Sequence, residues 1–136
     1  MVDTKVEKTW NGKIVKIKGK KVIGKSIWEL GLIIEGNAKL LSPVLTGRLA
    51  GSYTVQLPER GNAPKFPATQ ADVIAKPTNP MHGYVGTAVD YAIPVEFGAM
   101  GRAAQPALRP ALDLARGKKL TVIRQQASYE FRDYLK

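Results

Sequence analysis

The sequence contains no cysteine and a single histidine, His82. The first absence excludes disulfides and thiolate metal sites; it leaves the redox compartment open, although a reducing cytoplasm fits. With one histidine, a transition-metal centre would have to rest on carboxylates. A histidine in the loop "NPMHGY" needs no ligand to account for it. No Gly-x-Ser-x-Gly elbow is present, so the sequence offers no nucleophile on a strained turn. No run approaches the roughly 18 apolar residues of a membrane span, and the opening "MVDTKVEKTW" lacks the features of a signal peptide. A soluble, unprocessed chain with no membrane partner and no cofactor is therefore expected. "GKKVIGKS", Gly19 to Ser26, matches the phosphate-loop pattern letter by letter. Such a loop needs a buried strand before it, and this one sits in a lysine-rich setting with Val22 and Ile23 inside it, so the match is read as chance.

What is present is one domain's worth of chain: 136 residues, 44% hydrophobic and 24% charged, as in ordinary globular proteins. Net charge is +10, and it is unevenly spread. Residues 1 to 25 hold eight lysines against Asp3 and Glu7, a surplus of six. Lys13, Lys16, Lys18, Lys20 and Lys21 are the candidates for a nucleic-acid or inter-ring contact. The plainer alternative is an edge hairpin whose lysines discourage strand-to-strand aggregation. No aromatic platform is interleaved with these lysines, since Trp10 stands alone.

Asn11-Gly12 between two strand-like runs predicts a type I′ hairpin, with Val2 to Trp10 as one strand and Ile14, Val15 and Ile17 on the other. Residues 1–21 thus read as a basic β-hairpin arm. Over 22–57 the pattern is helix and then strand. Ile23, Ile27, Leu30, Ile34, Ala38 and Leu41 make one helical face, closed by Pro43. Thr46-Gly47 marks a turn, and Leu49 to Leu57 alternates as a strand. Residues 58–82 hold five of the nine prolines and read as a long loop, with a short strand at Ala71 to Ala75. Over 83–136 two short strands are expected around Ala88 to Asp90. Pro94 would sit on an edge or a bulge because it lacks an amide donor. Pro110 then opens a long C-terminal helix, pushing Arg109 out of the helical region. Its face is Leu112, Ala115, Leu120, Ile123, Ala127, Phe131 and Tyr134, with Gly117 as the weak point. The fold class is α+β: an antiparallel sheet packed against two helices, with the hairpin as an N-terminal extension.

Glu96 stands out among the charged residues because it lies between Val95 and Phe97. As a general base it would need a partner, and Asp90 is the nearest carboxyl. The simpler role is a carboxylate that holds loop amides, or an arginine such as Arg102 or Arg109. The segment from Tyr91 to Leu112 is built to fix geometry.

These residues also carry a resemblance. "YAIPVEFG" (Tyr91, Ala92, Val95, Glu96, Phe97, Gly98) followed by "QPALRPAL" (Pro106, Leu108, Pro110, Ala111) resembles the small neck or minor tail proteins of long-tailed bacteriophages, the head–tail joining and tail-completion proteins. Upstream, Pro43, Thr46, Gly47 and Leu49 match the family's Pro-x-x-Thr-Gly-x-Leu turn, with Ser52 where a serine is common. The resemblance runs from about Val22 to the C-terminus. Ala99 stands where threonine is usual, 58–82 is longer than usual, and the basic hairpin lies outside the common core. What it implies is a structural virion protein with no enzymatic role, assembled in the host cytoplasm into the neck or tail. The chain would form a homo-oligomeric ring, six-fold or twelve-fold, around the channel through which DNA passes. It would contact a head-closure or connector protein on one side and a tail terminator or tube protein on the other. Glu96 would tie the loop to the helix start, while Gly47, Gly98, Pro106 and Pro110 set turns. The hairpin and the 58–82 loop would make inter-subunit or inter-ring contacts. The competing readings are a basic nucleic-acid-binding module, from the charge, and an enzyme, disfavoured by the scarcity of nucleophiles and ligands.

Overall fold

The computed structural model describes residues 11–44 and 47–134. In chain order these form α1 (Gly12–Leu41), α2 (Arg48–Ser52), β1 (Thr54–Gln56), β2 (Tyr84–Gly86), α3 (Ala92–Phe97), α4 (Leu108–Arg116) and α5 (Lys119–Glu130), with short 3-10 turns at Gln70–Asp72 and Arg132–Tyr134. The fold is mixed helix and antiparallel sheet, as expected, but helix dominates.

The largest correction lies at the N-terminus. Ile14, Val15 and Ile17 do not form a hairpin strand; they belong to α1, a helix of 30 residues and about 45 Å. Asn11-Gly12 is where that helix begins, and the other expected strand, Val2 to Trp10, lies outside the described residues. No proline interrupts the chain before Pro43, so nothing stops the helix from running on. Its far end closes at Ser42, whose amide and hydroxyl both donate to the Ala38 carbonyl, at 3.0 and 2.7 Å.

The buried face of α1 is also shifted from the predicted one. Val22, Ser26, Gly31, Glu35 and Ala38 point inward, while Ile23 and Leu41 are exposed. Of the predicted stripe, only Ala38 is fully buried. The reason is that α1 has two different neighbours. Its N-terminal half meets the end of α5, where the Lys18 ammonium donates to the Glu130 carbonyl at 2.9 Å and Lys25 pairs with the Glu130 carboxylate. Its C-terminal half is covered by α2, β1, β2 and α4.

The sheet consists of two strands of three residues, antiparallel, with Val55 opposite Val85. The first four of the nine residues of the expected strand from Leu49 to Leu57 are therefore helix: α2 takes Arg48–Ser52, and only Thr54–Gln56 pairs with β2. The expected strand at Ala71 to Ala75 is replaced by the 3-10 turn Gln70–Asp72, capped by Thr69 and Asp72 in a reciprocal box. Pro94 lies on no strand edge. It is the third residue of α3, where a missing amide costs nothing because first-turn amides have no intrahelical partner. Pro110 is likewise third in α4, so Arg109 sits inside the helix and not before it. The long C-terminal helix is interrupted at Gly117-Lys118, where the Lys118 amide bonds back to Ala115 at 2.9 Å. The buried face keeps one phase across that break. Ala111, Ala115 and Val122 face inward, and the predicted Leu112, Leu120, Ile123 and Tyr134 are exposed.

The core gathers Ala38, Leu49, Tyr53, Val89 and Ala111, with Ile34, Ala92, Val95 and Leu108 around it. Alanines at the α1–α4 contact allow the two helices to lie close. Burial raises the Tyr53 phenol pKa above its ordinary value, against a hydrogen bond with Ser42.

Candidate functional site

The two stretches that carried the resemblance meet at this core. Leu49, from the first, is buried in the same cluster as Val89 and Ala111, with Val95 and Leu108 from the second packed against it. Arg48 crosses toward Tyr91, its guanidinium 6.0 Å from the ring centre, and binds Asp72 through Nη2 at 2.7 Å and Nε at 3.3 Å. Pro43 follows the end of α1, Gly47 has φ +77°, and Thr46 lies outside the described residues.

Glu96 projects from α3 onto the start of α4. One carboxylate oxygen accepts the amides of Ala107 and Leu108 at 2.8 and 3.1 Å, and the other accepts the amide of Arg109 at 2.9 Å. The Arg109 guanidinium donates to the Glu96 backbone carbonyl at 2.9 Å and lies over the Phe97 ring, 4.5 Å from its centre. Glu96 thus supplies the cap that the α4 sequence lacks, since Ala107 has no side-chain oxygen. Burial pushes the carboxyl up, but the amides of Ala107, Arg109 and Leu108, with the Arg109 guanidinium, outweigh it and hold the pKa below the usual range.

Between α3 and α4 the chain makes a tight excursion. Ala99 and Arg102 bridge each other, and the Gln105 amide returns to the Val95 carbonyl at 2.8 Å. Gly98 has φ +85° and ψ 161°, a region essentially closed to other residues. A Cβ there would also stand 3.2 Å from the Ala104 nitrogen and the Arg102 oxygen. Gly98→Ala is therefore expected to cost about 2 kcal/mol, read as a lower denaturation midpoint; an unchanged midpoint would mean the excursion relaxes freely. Pro106 lies on its exposed return, next to Ala107.

Beside this excursion runs a groove of about 600 Å³, lined by Tyr53, Ile74, Tyr84, Ile93, Phe97 and Leu108 among others. Its apolar walls reach solvent, with Ile93 70% and Phe97 63% exposed. Elsewhere on the surface, Met100 at the tip of the excursion is 98% exposed and Phe66 in the 58–82 loop is 95% exposed.

Several ties were missed in the sequence. Ser52 and Thr87 hydroxyls share a 2.6 Å hydrogen bond that links α2 to the end of β2. Asn62 accepts the Val55 amide at 2.7 Å and donates to Glu35 at 2.5 Å, fastening the start of the long loop to β1 and α1. Arg60 covers Trp28 at 3.7 Å. Only the Thr69-x-x-Asp72 box had a local signature. Asp72 is held below its usual pKa by Arg48 and by the Thr69 amide. The candidate lysines stand apart from this region, on the N-terminal half of α1, and the literal phosphate-loop match is mid-helix, with the Ser26 hydroxyl bonded to the Val22 carbonyl at 2.7 Å. Among the described residues no group of acidic or histidine side chains could hold a metal, and no helix is long and apolar enough to cross a membrane. Protein-family models, curated proteins and solved structures yield no match to the chain.

Proposed function

We propose that this chain is a structural virion protein of the bacteriophage neck or tail, which assembles into a ring joining the DNA-filled head to the tail. The observation that carries the reading is the contrast around Glu96. A backbone fixed by charge-assisted hydrogen bonds presents large apolar side chains to solvent at Ile93, Phe97 and Met100. A lone chain gains nothing from ordering a loop to display such groups, whereas an interface does. Ile93 and Phe97 belong to the stretch Tyr91–Gly98 that resembles neck and tail-completion proteins, and Met100 lies just beyond it. A ring needs heterologous contacts that close, a projecting patch on one face fitting a recess on another. Met100 and Phe66 are projections of that kind, and the Tyr84–Phe97 groove is a recess. Six-fold or twelve-fold closure around the DNA channel, between a connector protein and a tail terminator or tube protein, follows from the same resemblance.

Electron microscopy of lysates from a phage with a nonsense mutation in this gene tests the proposal. Filled heads beside finished, unattached tails are expected. Tails of uncontrolled length would move the protein to the tail terminator, and normal infectious virions would overturn the assignment.

A further inference from the structure

The five lysines grouped by the sequence are divided by the structure. Lys18 is engaged within the chain, its ammonium bonded to the Glu130 carbonyl and lying 4.6 Å from the centre of the Tyr134 ring. Lys21 lies in the field of the Glu130 carboxylate, as Lys25 does. Lys13, Lys16 and Lys20 have no ion pair among the described residues and are exposed. At 100° per residue these three fall within about 60° of one another and span about 10 Å along the helix.

Among the described residues the charge of this stripe meets no partner in the fold. From Gly12 to Trp28 the helix carries no acidic residue, the first being Glu29. Lysines in the opening turns of a helix oppose its macrodipole. Five carboxylates elsewhere pair with other cations: Glu35 with Lys39, Asp72 with Arg48, Glu96 with Arg109, Asp113 with Arg116 and Glu130 with Lys25. The cationic surplus is thus concentrated, outward-facing and without an ion pair among the described residues.

We propose that the stripe of Lys13, Lys16 and Lys20 on α1 is a sequence-independent binding face for the phosphate backbone of double-stranded DNA. A duplex carries one negative charge per about 1.7 Å of axis, so a stripe of about 10 Å faces several phosphates at once. No base-reading side chain accompanies the lysines, which makes the contact indifferent to sequence and compatible with sliding. A lipid surface is the poorer fit. A membrane-surface helix needs an apolar stripe clear of charge beside its basic one, and here Lys18 and Lys21 fall inside the roughly 160° arc that holds Ile14, Val15 and Ile17. The inference stands independently of the ring, because it concerns α1 of a single chain.

The test is fluorescence anisotropy of a labelled 24-base-pair duplex titrated with the full chain over a range of salt concentrations. The wild-type chain is expected to bind with an affinity that falls steeply with salt. K13E/K16E/K20E is expected to bind at least about tenfold more weakly and to lose about 2.7 from the magnitude of the log–log salt slope. The triple lysine-to-arginine variant retains the charge and the binding. A charge-matched control at Lys76, Lys118 and Lys119 should bind as wild type, which separates a site from bulk charge. Circular dichroism of each variant checks that α1 remains folded. Equal loss in the control and the stripe variant would overturn the proposal, as would salt-independent binding, or affinity for anionic phosphatidylserine vesicles with none for the duplex.

Discussion

Glu96→Ala is expected to lower the unfolding free energy by about 3 kcal/mol, the largest loss from any single carboxylate in the chain. The substitution strands the amides of Ala107, Leu108 and Arg109, which the carboxylate holds at 2.8, 3.1 and 2.9 Å. It also removes the anion opposite Arg109. Glu96→Gln keeps one acceptor oxygen but turns an NH2 group toward donors, so it should lose about 2 kcal/mol. The two variants also differ from wild type in acid. A carboxyl whose pKa falls on folding binds fewer protons in the native state. Its stabilisation is therefore fully present above the pKa of an unfolded glutamate and fades as pH drops through the depressed native value. Urea midpoints measured from neutral pH down through that window should fall for wild type and converge with those of Glu96→Gln. Parallel curves for the two proteins would show that Glu96 does not carry this part of the acid response. Glu96→Ala particles that assemble normally would, separately, remove Glu96 from the account of the assembly surface.

Gly31→Leu should cost about 3 kcal/mol, by overpacking and without loss of any hydrogen bond. A Cβ on Gly31 would stand 2.6 Å from Cγ1 of Val55, a side chain that is fully buried on β1. Helix and strand touch there through the glycine. Gly31→Ala gains up to about 1 kcal/mol of helix propensity and still meets the same methyl, so a smaller net loss is expected. Adding Val55→Ala makes room. A double-mutant cycle on urea-unfolding free energies should return a coupling of about 1 kcal/mol or more in the direction of rescue. Strict additivity would mean that β1 simply moves away from α1.

Local chemistry was legible where its cause was local. Pro43 lies just past the end of α1 and Gly47 has a positive φ, as a helix-ending proline and a turn glycine predict. The reading of Glu96 as a holder of amides or of an arginine has its counterpart in three amides and Arg109. The N-terminal hairpin failed for a reason outside the segment. Asn-Gly and a β-branched run favour strands by themselves, but Glu130 and Tyr134, more than a hundred positions later, reward Lys18 on a helix. Alternation over Leu49 to Leu57 could not distinguish a strand from a five-residue helix followed by a three-residue strand. Pro94 misled because a first-turn proline and an edge-strand proline obey the same rule, the missing donor. The face of the last helix was misplaced on both sides of Gly117, since large apolar residues such as Leu112 and Leu120 drew the stripe about a third of a turn away from the buried Ala111, Ala115 and Val122. The tie between Arg48 and Asp72 and that between Ser52 and Thr87 join residues 24 and 35 positions apart, beyond the reach of any pattern.

The way α1 is covered has a bearing on how the protein is made. Glu29 meets Gln126 across 97 residues, and Lys18 meets Glu130 across 112. At about 5–20 residues per second, the ribosome needs roughly 5–20 s to deliver these partners once α1 has emerged. During that interval α1 is a nascent rod with its inward face open to water. Its apolar residues, Ile14, Val15, Ile17, Val22 and Ile23 among them, are then all in water, and the lysines interleaved with them oppose self-association. The helix that waits for these distant neighbours thus carries its own dispersing charge while it waits.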